Sequence, residues 1–122
     1  MNIKAFWQDV LCQNKKALPA YFANDARICW HCTNERFTVA EYVRANCEYP
    51  GRWKGEIERM DAVGDNVVMA ARVWAEDGSA SFHVVSFLCL KDDKIASLDE
   101  YWGDDGPAPD WRTKMGLGRP IR

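Results

Sequence analysis

A chain of 122 residues, 48% hydrophobic and 28% charged, has the size and composition of one globular domain with a core of its own. Lys and Arg number 16 against 18 Asp and Glu, a formal charge of −2, and no basic run marks a nucleic-acid binder. No stretch approaches the ~18 apolar residues of a membrane span, and MNIKAFWQDV lacks the cationic and apolar segments of a secretion signal, so a cytoplasmic protein is expected.

Ile3, Phe6, Trp7, Val10 and Leu11 repeat at helical spacing, with Asn2 placed to cap them. Asn14 is placed to cap a short second helix through Tyr21 and Phe22, made irregular by Pro19. Asn24-Asp25 reads as a turn before a first strand at 26–32, followed by a tight turn at Thr33-Asn34-Glu35 and a brief return through Arg36-Phe37. Thr38 with Glu41 forms a capping box for a helix that buries Val39, Tyr42, Val43 and Cys47 and stops at Pro50-Gly51.

Beyond Trp53 the pattern changes to strands at 53–63, 67–76, 80–91 and 95–102, joined by separators short enough for hairpins. Gly103 to Arg122 reads as an irregular tail. Helices first and strands afterwards predict an α+β domain over 1–122, helices packed on an antiparallel meander. The strand at 80–91 is apolar on both faces, so its outer face needs a cover. A homodimer seam through Val85 and Phe87, or through the residues alternating with them, supplies one.

The five cysteines are an odd number, as expected for reduced thiols. Cys29 and Cys32 have CxxC spacing, but in a strand residues three apart point to opposite faces, so neither a disulfide nor a metal is expected there. No second Cys/His pair at ligand spacing and no glycine-rich phosphate loop is present, so no metal and no cofactor is expected. Six Trp in so short a chain point to a filled core or a lined pocket.

Two segments carry a resemblance: Tyr21-Phe22-Ala23-Asn24-Asp25-Ala26 before the first strand, and Lys94 to Trp102, ending Glu100-Tyr101-Trp102. With the order of elements, they resemble the nuclear-transport-factor-2-like superfamily, nearest its SnoaL-like, polyketide cyclase-like branch, over residues 1 to about 105. The resemblance implies a strongly bent sheet wrapped on helices into a cone-shaped α+β barrel with an apolar pocket, usually dimeric. Its members include ketosteroid isomerases, scytalone dehydratase, polyketide cyclases and binding modules, so fold does not decide function. The resemblance places Trp30, Phe6 and Ser86 where the steroid isomerases carry an Asp base, an oxyanion-donating Tyr and a protonated Asp. The steroid-isomerase mechanism is therefore not expected. Glu100 matches the position of a general acid in phenazine-biosynthesis relatives.

Glu100 shares a strand face with Leu98 and Trp102, where apolar neighbours raise a carboxyl's pKa toward acid–base use. The competing reading has it solvated or paired with an Arg. His83 is the second catalytic candidate, or else an interface histidine. Its face depends on the Asp92-Asp93 turn: a two-residue turn puts it on Glu100's side, and a bulged turn puts Ser86 opposite Glu100 instead. Trp30, Trp102, Ser86 and Phe6 are the substrate-binding candidates. Arg72 and Trp74 share a face with His83, where Arg72 meets either a substrate carboxylate or a dimer seam. His31 and Glu35 are expected to face solvent.

Two functions remain open. One is cofactor-free isomerase, cyclase or dehydratase chemistry on a small apolar or aromatic molecule with Glu100 as general acid/base. The other is a non-catalytic ligand-binding or dimeric interaction module. A single titratable group inside the cone favours the second, and two within reach of one ligand atom favour the first.

Overall fold

The computed structural model describes residues 1–122. Helix α1 spans Ile3–Leu11, and Asn2 Oδ1 accepts the Ala5 N–H at 2.9 Å to satisfy one of its free amides. Its buried face is Ile3, Phe6, Trp7, Val10 and Leu11, as the spacing predicts. Pro19 limits the next segment to a 3-10 turn, Leu18–Tyr21. Strand β1 (Phe22–Trp30) starts four residues earlier than expected. Asn24 and Asp25 fall in an irregular stretch of its pairing, between Phe22 and Arg27, and not in a turn.

After β2 (Glu35–Phe37), the reciprocal Thr38–Glu41 capping box opens α2 (Val39–Cys47). Strands β3 (Trp53–Val63), β4 (Asn66–Ala75), β5 (Ser81–Lys91) and β6 (Lys94–Asp104) form the expected antiparallel meander. One six-stranded sheet results, in the order β2-β1-β6-β5-β4-β3, with β1 and β6 parallel. The sheet curls around α1 and α2 without closing, and 19 buried apolar residues fill the space between.

Gly55 allows that closeness. A Cβ on it would stand 2.5 Å from the Arg72 carbonyl oxygen and 3.0 Å from Leu11 Cδ2, so β3 could not approach β4 and α1 as it does.

The turn between β5 and β6 combines both sequence alternatives. Asp92 (φ 51°) and Asp93 (φ 62°) make a two-residue turn, and Lys91 pairs with Lys94. Cys89 then pairs with Ser97 where Leu90 pairs with Ile95, which leaves Ala96 over as a bulge. The bulge lies inside the strand and reverses parity beyond it, so Ser86 stands opposite Glu100 and His83 opposite Gly103.

The tail is less irregular than expected. β6 continues to Asp104, and Asp110–Thr113 form one helical turn, α3. At the chain's end Arg122 Nη2 lies 3.2 Å from Glu58 Oε2 and 3.3 Å from His83 Nε2 on the outer sheet face. No helix is long and apolar enough to cross a membrane.

Candidate functional site

Alternation along β6 sends Leu98, Glu100 and Trp102 into the cone, and the parallel partner β1 sets Trp30 beside Glu100. Glu100 is 4% exposed. Its Oε2 accepts the Ser86 hydroxyl at 2.6 Å, while Oε1 accepts the indole N–H groups of Trp30 at 3.1 Å and Trp102 at 3.4 Å. No cationic side chain is paired with it. Burial pushes its pKa up, and the donors Ser86, Trp102 and Trp30 pull it partly back. Tyr42, fully buried on α2, is pushed well above the usual phenol range by burial and then by the charge of Glu100.

In front of the two indoles opens a cavity of about 410 Å³. Its aromatic wall is Trp30, Trp102, Phe82, Trp53 and Tyr49, and Val10, Leu11 and Val73 supply aliphatic surface. Ring centroids run 5.5 Å from Tyr49 to Trp53, 5.5 Å from Trp53 to Phe82 and 6.2 Å from Phe82 to Trp102. Gln13, Asn46, Thr33, Cys32 and Asp104 are among its polar members. Glu100 and Ser86 do not line the cavity; the indoles of Trp30 and Trp102, which do, are bonded to the carboxylate.

Of the residues singled out in the sequence, Glu100, Ser86, Trp30 and Trp102 come together as one hydrogen-bonded group. Phe6 does not join them. It is 1% exposed, edge-on to Tyr21 and Phe22 at 5.3 and 5.7 Å, in the core under α1 and away from the cavity. His83 does not join them either, because the Ala96 bulge turns it to the outer face. There it contacts Asp105, Glu58 and Arg122. Arg72, on the same face, pairs with Glu56 at 2.9 Å and lies over the Trp74 ring.

Sequence reasoning missed Trp53, Phe82, Tyr49 and Asp104 as cavity residues. The signal for Phe82 and Asp104 was parity: they face each other across β5 and β6, on the side of Ser86 and Glu100. Tyr49 lies outside any regular element and carries no such signal.

All five cysteines are free. Cys32 lines the cavity, whereas Cys29 stands on the opposite sheet face among Arg27, His31 and Asp99. The potential ligand atoms of Cys29, His31 and Asp99 lie within 4.8 Å of one another. The Arg27 guanidinium already supplies a cation there, 3.6 Å from Cys29 Sγ and 3.5 Å from Asp99 Oδ2. His31, exposed as expected, bonds Asp99 at 2.8 Å and stacks on Tyr101.

No protein-family model matches the chain, and no curated protein matches it. Solved structures do. A protein from Kribbella flavida described as a candidate ketosteroid isomerase superposes with a TM-score of 0.81 at 24% identity, over 98% of this chain and 87% of its own. An NTF2-like protein of unknown function from Burkholderia xenovorans gives 0.77 at 18% identity, over 97% and 92%. A candidate SnoaL-like polyketide cyclase from Shewanella putrefaciens gives 0.68 at 14% identity, over 92% and 79%. At these identities the likeness is one of fold, and the fold is the NTF2-like cone expected from the sequence.

Proposed function

We propose that the protein binds a small molecule with an aromatic or apolar body in the cone, with Glu100 as the anchor of the cavity wall. The observation that carries this reading is the single carboxylate that receives Ser86 and both indoles. A buried charge is costly unless its hydrogen bonds are made, and here making them fixes the orientation of two cavity-lining rings. Preorganised aromatic walls lower the ordering cost of binding. Catalysis with two cooperating groups finds less support, because His83 lies on the other sheet face and Glu100 is the one carboxyl buried in the cone.

Proton transfer by Glu100 is the second reading. Burial holds its carboxyl toward the neutral, proton-donating form, as a general acid requires. A ligand atom reaches it only by displacing an indole N–H.

Outside the cone, a second copy of the chain on the outer sheet face is the cover that Phe87 and Tyr101 call for. Both are 45% exposed, with ring centroids 6.0 Å apart.

The test of the pocket is titration with small aromatic probes, followed by the indole signals of Trp30, Trp53 and Trp102 and by alkylation of Cys32. Binding in the cone shifts those three indoles and protects the thiol. Probes that instead perturb Tyr101 and Phe87 overturn the reading. Under the catalytic reading, Glu100→Gln abolishes turnover while probe affinity stays.

A further inference from the structure

The charge pattern of the cavity selects among ligands. No Lys, Arg or His lines it, and its one ionisable carboxylate is Asp104 at the open end of β6. The next charge inward is Glu100, held behind Trp30 and Trp102 without a cationic partner. Three of the four amide N–H groups on the wall are spent elsewhere. Gln13 Nε2 donates to the carbonyls of Asn46 and Tyr49 at 2.9 and 2.8 Å, and Asn46 Nδ2 donates to that of Val10 at 3.0 Å. What remains for a ligand is mostly π faces and apolar surface, with the hydroxyls of Thr33 and Tyr49, the Cys32 thiol and one Asn46 N–H among its uncharged polar groups.

We propose that the ligand bound in the cone carries an alkylated, positively charged nitrogen, seated against the aromatic wall of Trp30, Trp102, Phe82 and Trp53 with Asp104 at the mouth. This rests on the pocket reading given above and adds the charge of the ligand to it. An aromatic face attracts a cation within about 6 Å of its centroid, most strongly when water is excluded and the ring is Trp. When Glu100 is ionised, its carboxylate at the two indole N–H groups also places negative charge at the ring edges, behind the faces that the cation meets. Alkylation matters because a bare ammonium needs hydrogen-bond acceptors for each N–H and is strongly hydrated, while a trimethylammonium head has no N–H to satisfy. The aliphatic surface of Val10, Leu11 and Val73 takes an uncharged body, and about 410 Å³ accommodates a ring together with such a head. An anion would meet the Asp104 carboxylate at the mouth and no cationic side chain on the wall.

The experiment compares two probes of one shape: 3-hydroxyphenyltrimethylammonium and its uncharged carbon isostere, 3-tert-butylphenol. Each is titrated into the full chain while the Trp30, Trp53 and Trp102 indole signals are followed. The cation is expected to bind about tenfold tighter or more. Asp104→Asn, an exposed position, is expected to weaken the cation about threefold and leave the phenol unchanged. A phenol that matches the cation at these indoles overturns the inference and leaves the pocket reading standing. If neither probe moves them, the pocket reading fails, and this inference with it.

Discussion

Ser86 donates its hydroxyl proton to Glu100 at 2.6 Å because Ala96 is left over in β6. Without that bulge the two-residue Asp92-Asp93 turn would put Glu100 out of phase with Ser86, on the side of His83. One unpaired alanine thus assigns the carboxylate to the cone and the imidazole to the outer face.

Glu100→Gln is expected to fold and to raise stability at neutral pH. An acid whose folded pKa is raised contributes stability that is complete below the usual carboxylate pKa and is lost as the pH climbs through the folded value. Gln retains an acceptor for the indoles and offers Ser86 a donor, without the charge. The gain is expected to grow as the pH rises toward the folded value and to vanish in acid, as read from thermal melts across pH. A variant less stable than the parent at every pH would contradict it.

The same titration has a spectroscopic signature. Two of the six Trp indole N–H resonances, those of Trp30 and Trp102, are expected to move together with pH as Glu100 ionises. In Glu100→Gln both should become pH-independent over that range. Proton–nitrogen correlation spectra check this, and indoles that titrate independently of each other would contradict it.

Gly55→Ala is expected to destabilise the fold by about 1 to 3 kcal/mol. The added methyl meets the Arg72 carbonyl oxygen at 2.5 Å, and backbone in a sheet has little room to retreat. Denaturant unfolding with an unchanged slope measures it. An unchanged midpoint would mean that β3 and β4 separate more easily than their pairing implies.

The outer face yields an assembly prediction. Light scattering should give a dimer at micromolar concentration, and Phe87→Asp should convert it to a monomer without loss of the fold, since Phe87 is 45% exposed. A monomeric parent chain would leave the outer face without the cover proposed for it.

Isomerisation of a Δ5-3-ketosteroid should be absent or close to background in a spectrophotometric assay. Trp30 has no basic site, Phe6 lies in the core, and Ser86 is committed to Glu100. General-base and electrostatic contributions typically supply about a hundredfold or more each. Turnover comparable to that of a proficient isomerase would refute this arrangement.

The local chemistry of the chain is enough to determine much of this protein. Asn2 and the Thr38–Glu41 box start their helices because a side chain satisfies a free amide within one turn. Short turn separators between strand-forming runs mark the meander of β3 to β6, and Leu98, Glu100 and Trp102 share a face because strand side chains repeat every two residues. Pairing between distant segments is not local chemistry. The parallel seating of β1 on β6, which brings Trp30 to Glu100, depends on how the whole sheet closes over the helices. The Ala96 bulge, which decided between Ser86 and His83, is a property of how β5 and β6 pair, and no neighbouring residue announces it. Phe6 and Trp30 are both aromatics at apolar positions. Only the packed structure put one in the core and the other on a cavity wall, because burial is set by what the remainder of the chain places opposite.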